Sequence, residues 1–391
     1  MKIMGFPNVS IKYNNGLLGV LPESADGLLA MVLTDCDKGM MTELGLESQG
    51  EYLLYGVDSL EKEYLSSHDR IKEAVTDFYA VAAEGTPVYV VVTTSDVKSF
   101  CSGGITPLVE KLHGNIRGII IETTDTEEDS TGIAKDIIDS IPIAHNAAMT
   151  CAESKNAPIF VIFAAQLIAT VADLVDLGEK NYDRCGVCIG KHENSLYPIT
   201  GLIAGRIASV PIQRNIGAVR DGRLPAEDLH LGPDMLIDDN MDDVRTAHTK
   251  GYIVPRIYTG RSGYYFSDDM MATDQTDDYA HLTNRRVIDK AARIVYDTLL
   301  DYLMGEVEVN DDGTMQQPVI KSWQAAVESV IDQQMTARGE LSAVDGSGCR
   351  CIIDPSQNVL ATSQINVVLK VRPYGYAREI VCELGFLTNN A

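Results

Sequence analysis

The sequence predicts an α+β protein: a central α/β domain, a second α+β domain with long helices after it, and β arms at the two ends. Three observations carry this expectation. Runs such as Val88-Tyr89-Val90-Val91-Val92 and Gly118-Ile119-Ile120-Ile121 are apolar on both faces and alternate with helical periodicity, as in a mostly parallel sheet covered on both sides. Beyond residue 282 the period changes to that of two long amphipathic helices. The chain ends in two alternating runs, one with Ile365, Val367, Leu369 and Val371 on one face, the other with Ile380, Cys382, Leu384 and Phe386. The turn residues Pro373-Tyr374-Gly375-Tyr376 stand between them, so a terminal β-hairpin is expected.

In chain order, Val9, Ile11 and Tyr13 alternate with Ser10 and Lys12 and lead into Asn14-Asn15-Gly16, a short strand ending at a turn with no local partner. Residues 28–33 read as a buried strand and 51–55 as a second. A helix is expected from Ser67-His68-Asp69 to about residue 83, with Ile71, Val75, Phe78, Tyr79 and Ala82 on one face. After the strand at 88–92 come a short helix over 105–112 and the strand at 118–121. Ser130 is expected to cap a long helix carrying Ile133, Ile137, Ile138 and Ile141, ahead of a strand at 158–162.

The run Thr200-Gly201-Leu202-Ile203-Ala204-Gly205-Arg206-Ile207-Ala208 is rich in small residues, and a helix of that composition can pack closely on a neighbour. Residues 212–250 are largely polar, with Asp238, Asp239, Asp242 and Asp243, and are expected to connect domains rather than to fill a core. Strands follow at 252–258 and 264–266. The first long helix, about 284–303, places Ile288, Ala291, Ala292, Val295, Leu299 and Leu303 on one stripe. The second, about 317–338, carries Val319, Trp323, Val327, Val330 and Ile331.

Charge limits the function. Fifty-six acidic residues against 32 Lys and Arg leave a formal net charge of −24, and no basic stripe exists to neutralise phosphates, which argues against a nucleic-acid partner. No apolar run of about 18 residues is long enough for a membrane span, and the first 25 residues lack the pattern of a signal peptide, so folding in a cytoplasm is expected. The eight cysteines are scattered, several beside apolar residues, which suits buried reduced thiols. Residues 26–257 are more acidic than the remainder, as a solvated outer surface would be.

The sequence offers little chemistry. Gly186-Val187-Cys188-Ile189-Gly190-Lys191 is one residue short of a phosphate-binding loop and is followed by His192 where a Ser or Thr should meet magnesium. No dinucleotide fingerprint follows the strand at 88–92. His192-Glu193-Asn194-Ser195-Leu196 begins like a zinc-protease helix but has Leu196 in place of the second histidine. Cys185, Cys188 and His192 could supply three zinc ligands, one short of a structural site, and Cys349-Arg350-Cys351 is a weaker pair. The seven histidines show no triad or cluster spacing, and the acidic runs at 122–129 and 268–278 lack the glycine and final glutamate of a calcium loop. No cofactor and no metal are expected.

At Leu282-Thr283-Asn284-Arg285-Arg286-Val287-Ile288-Asp289-Lys290-Ala291-Ala292-Arg293 the sequence resembles the contractile tail sheath family of bacteriophages and related injection machines. The stretch 200–217 resembles a segment upstream of that family's core domain, Pro7-Asn8-Val9 resembles the opening of one branch, and the terminal hairpin resembles its ending. The resemblance implies an inner sheath domain built from 1–25 and 258–391, with 26–257 inserted as an outer α/β domain. It also implies that Val9, Ile11 and Tyr13, with Ile365, Val367, Leu369, Val371, Ile380, Cys382 and Leu384, join neighbouring subunits by strand exchange.

Under that resemblance the chain polymerises helically with itself around a tail tube protein, meets baseplate and tail terminator proteins, and contracts to drive the tube through a target envelope. It does so without nucleotide, without inserting into a membrane, and after assembly in the bacterial cytoplasm. Lys321, Glu328, Asp332 and Arg338, off the apolar stripe of the second long helix, are candidates to face the tube. Two other readings stay open: an α/β enzyme with a pocket at strand ends near Asp96 or Asp125, and a ring-forming baseplate or capsid-associated protein.

Overall fold

A computed structural model describes residues 25–43, 45–61, 69–124 and 131–386. By internal packing the chain divides into two units, Met1–Arg286 and Val287–Ala391. The strand pair within 255–266 packs in the core of the first unit.

In the first unit the doubly apolar runs form one sheet. Its strands are β1 (Leu29–Leu33), β2 (Gly50–Leu54), β3 (Val88–Val92), β4 (Gly118–Glu122) and β5 (Phe160–Ala165). After the short β6 (Asn181–Tyr182) comes β7 (Cys185–Ile189) at the sheet edge. The spatial order is β2-β3-β1-β4-β5-β7, all parallel except β2, which runs antiparallel to β3. Every residue of β1, β4, β5 and β7 is buried, which is what helices on both faces require of such runs. The sequence of β7, Cys185-Gly186-Val187-Cys188-Ile189, has only two β-branched residues and so does not announce a strand.

Helices Asp69–Val81, Ile105–Lys111 and Thr200–Ser209 lie where periodicity placed them. The long helix is Lys135–Ser154, following Ala134; Ser130 lies outside the described residues and does not adjoin it. The helix Val97–Gly103 was not read from the sequence; its first turn is capped by Asp96, whose carboxylate accepts the Ser99 amide at 2.6 Å.

Residues 212–250 correct an expectation. Besides β8 (Lys191–His192) and its partner β9 (Leu229–His230), this polar segment sends Ile216, Leu224, Leu231, Ile237, Val244 and Ala247 into the main core. These apolar residues are sparse among polar ones, so no helix or strand period links them. Arg206 donates to the carbonyls of Asp221, Gly222 and Arg223, satisfying loop backbone that would otherwise be stranded. The antiparallel pair β10 (Pro255–Tyr258) and β11 (Arg261–Phe266) adds Tyr264 and Phe266 to the same core, and β12 (Ala272–Thr273) pairs with β6.

The second unit has its own small core of Met315, Ile320, Val327, Cys351 and Ile353. The helix Leu282–Leu300 buries Val287, Ala291 and Ile294, and Val295 and Leu299 of the expected stripe pack against the small core; Ala292 and Leu303 are exposed. The other helix is α-helical over Gln317–Ile331 and continues as a π turn over Asp332–Thr336.

The C-terminal hairpin is also corrected. β14 (Val367–Val371) pairs antiparallel with β13 (Cys349–Ile353), not with the following run, and no strand forms over 372–386. The expected face of β14 is right: Val367 and Leu369 pack on the core. But Cys351 and Ile353 supply the apolar face beside that core, and Ile380, Leu384 and Phe386 find none among the described residues; Leu384 is 94% exposed. Val9, Ile11 and Tyr13 lie outside the described residues.

Candidate functional site

Ligands of doubly wound sheets bind beyond the carboxyl ends of the strands where the winding reverses. Here the reversal is at β1, which is flanked by β3 on one side and β4 on the other. The chain fills that crevice itself. Glu122, the last residue of β4, is paired with Arg70 from helix Asp69–Val81 at 2.6 Å, both side chains almost wholly buried. The same guanidinium donates to the carbonyls of Thr34, at 2.6 Å, and Glu122, at 3.1 Å. The Thr200 hydroxyl donates to the other Glu122 oxygen. An ion pair with this many supporting bonds is costly to break from one side only.

A second constellation lies on the same helix. Its apolar face packs on helix Thr200–Ser209, where a Cβ at Gly205 would stand 2.6 Å from the Phe78 carbonyl oxygen; only glycine permits that approach. Another face carries Glu73 and Asp77, one turn apart and so side by side. β8 brings His192 to them, its Nε2 2.8 Å from an Asp77 oxygen, and the Ser195 hydroxyl donates to Glu73 at 2.6 Å. They line an open cavity of about 570 Å³ together with Lys72, Thr76 and Tyr197. Burial pushes the Glu73 carboxyl up from its usual range. Burial pulls the His192 imidazole down, but the hydrogen bond and charge of Asp77 outweigh it and leave it raised.

A third cluster, Asp268, Asp269 and His281, is already saturated. Buried Asp269 accepts the Thr283 amide at 2.8 Å, the Thr283 hydroxyl, the Asn215 amide at 2.7 Å and a bond with His281 at 3.0 Å. Burial raises its carboxyl, yet these bonds and the His281 charge prevail and hold it at about 2. Beside it, Arg285 pairs with Asp183 at 3.0 Å and Arg286 donates to the Val210 carbonyl at 3.2 Å. The polar residues Thr283, Arg285 and Arg286 of the 282–293 motif are thus anchors for the start of its helix.

The sequence matches the DUF2586 N-terminal domain over residues 6–270 and the DUF2586 C-terminal domain over residues 278–391. The chain belongs to the DUF2586 family. No curated protein matches it. Among solved structures, a chain of the PVC extracellular contractile injection system sheath complex, in its contracted state, superimposes with a TM-score of 0.63 at 14% identity, covering 98% of each chain. A chain of the anti-feeding prophage baseplate gives a TM-score of 0.61 at 12% identity, covering 99% of this chain and 100% of that one. The DUF2586 chain therefore has the fold of contractile sheath proteins.

Cys185 and Cys188 are three apart on β7, so their thiols leave opposite faces of the sheet and share no ion with His192; burial pushes both up. Asp96 serves as a helix cap, and Asp125 lies outside the described residues. Of the four candidate tube-facing residues, Lys321 and Arg338 are exposed. Glu328 accepts the Cys351 amide at 2.7 Å and Asp332 the Gly348 amide at 3.1 Å, so both hold β13 and the turn before it in place. The Glu73–Asp77–His192 group was missed because its members come from segments 115 residues apart. Among the described residues, no helix is long and apolar enough to cross a membrane.

Proposed function

We propose that this chain is the structural subunit of a contractile tail sheath, polymerising helically around a tail tube and contracting to drive it through a target envelope. The observation that carries the reading is the segment 376–386 of a sheath-type fold: among the described residues, Ile380, Val381, Leu384 and Phe386 are exposed and enter no core. Burying an aliphatic or aromatic side chain is worth about 1.5–3 kcal/mol, so a neighbouring copy that receives this segment gains a firm link. The exposed apolar run becomes an arm whose partner strand lies in the next subunit, with Val9, Ile11 and Tyr13 as its counterpart at the other end.

On this reading the C-terminal part faces the tube, with Lys321 and Arg338 available to it, and the acidic α/β part faces solvent. The partners are further copies of the chain, a tube protein, a baseplate and a terminator, assembled in a bacterial cytoplasm. The chain works mechanically and not as a catalyst, which fits a sheet crevice occupied by Arg70 and Glu122. Backbone-bonded arms keep neighbours connected while rigid units rotate, so a small gain per subunit sums along the cylinder.

Negative-stain microscopy of the purified chain, intact and lacking 1–25 or 364–391, tests the proposal. Long hollow cylinders from the intact chain and dispersed particles from both truncations are expected. Closed rings, or folded monomers from all three, would overturn it.

A further inference from the structure

We propose that Glu73, Asp77 and His192 bind one divalent transition-metal ion of the Zn²⁺ class in the cavity they line beside helix Asp69–Val81. Each residue offers a ligand atom, and the three atoms lie within 4.8 Å of one another. Donors around a tetrahedral ion at ~2.0–2.2 Å stand roughly 3.3–3.6 Å apart, so a small rotation of either carboxylate brings the set together. One imidazole nitrogen with two carboxylates is a donor set for zinc, cobalt or manganese; calcium and magnesium prefer oxygen alone.

The surroundings are those of a held site. Helix Asp69–Val81 is fixed from behind by its close packing on Gly201 and Gly205, so Glu73 and Asp77 sit on a rigid support. β8 is pinned to β9, and Lys191 donates to the Glu193 carbonyl at 3.0 Å, which sets the backbone around His192. The Ser195 hydroxyl fixes one Glu73 oxygen and leaves the other to turn toward an ion. The cavity of about 570 Å³ gives the fourth coordination position room for water or a ligand atom. The Asp268–Asp269–His281 cluster has the same donor types but none of this freedom, because Thr283 and Asn215 already occupy the Asp269 carboxylate.

The ion would tie the helix to the 191–197 segment across this cavity, a link independent of the assembly proposed above. The test is a Co²⁺ titration of the full chain in a Cys382→Ser background, which removes the exposed thiol, followed by visible absorption and displacement with Zn²⁺. One ion per chain, a visible band that Zn²⁺ abolishes, and loss of the band in Glu73→Gln, Asp77→Asn and His192→Gln are expected. Zn²⁺ should also raise the melting temperature of the parent and not of Glu73→Gln, with circular dichroism checking that each variant is folded. Absence of saturable Co²⁺ uptake by the parent overturns the proposal and leaves His192 and Asp77 a simple hydrogen-bonded pair. A band unchanged in all three folded variants overturns it equally.

Discussion

Gly201 faces Ala74 so closely that a Cβ on the glycine would lie 2.1 Å from the Ala74 carbonyl oxygen. Helix backbones in contact at this range leave no flexible side chain to move aside, so the whole helix must shift. Gly201→Ala is therefore expected to destabilise the first unit by about 2–4 kcal/mol, although alanine is the better helix former. Gly103, which has open space around it, is the control: Gly103→Ala should be neutral or stabilise by up to ~1 kcal/mol. Urea midpoints of the two variants, measured side by side, decide the matter.

The buried pair of Arg70 and Glu122 makes a different prediction. Removing one partner strands the other charge in the core, so Arg70→Met or Glu122→Leu should each cost about 3–5 kcal/mol. Arg70→Met with Glu122→Leu should recover much of that loss, because no unpaired charge remains. A double-mutant cycle by chemical denaturation gives the coupling; additive losses would contradict it.

Asp269 links stability to acid. Its carboxyl is held at about 2 against an ordinary value of 3.8, so the folded state favours the ionised form. That contribution, of order 2 kcal/mol, is present above pH 3.8 and is lost as the pH falls toward 2. Asp269→Asn should therefore be less stable than the parent at pH 7, with the gap narrowing below pH 3.8. Melting temperatures of both proteins across this range measure it.

The arm separates assembly from folding. Leu384 and Phe386 are exposed in the single chain, so changing both to serine should leave its melting temperature within a degree or two. If the segment enters a neighbour, the same double variant should still fold and yet form no cylinders. Sedimentation velocity and microscopy on one sample distinguish the two effects, and cylinders of normal length from the variant would remove the arm from the interface.

Local information decided much of the fold. A strand buried on both faces needs an unbroken apolar run, and a helix covering it needs a period near 3.6, so 28–33, 88–92, 118–121 and helix Asp69–Val81 were readable from residue order alone. The small residues of Thr200–Ser209 announced close packing, and the alternation of Val367 and Leu369 announced which face of β14 is inward. Residues 212–250 escaped because their buried apolar side chains are sparse and follow no helix or strand period.

Partnership was beyond that reach. Nothing local to β14 states that Cys349–Ile353 will pair with it in place of the apolar run that follows. Nor does anything near Arg70 point to Glu122, or near Asp77 to His192, 52 and 115 residues away. Periodicity reports whether a side chain faces a core, because burial depends on its immediate neighbours. Which strand, charge or ligand it meets there is settled only when distant segments compete for the same surface, and that competition is resolved in the folded chain.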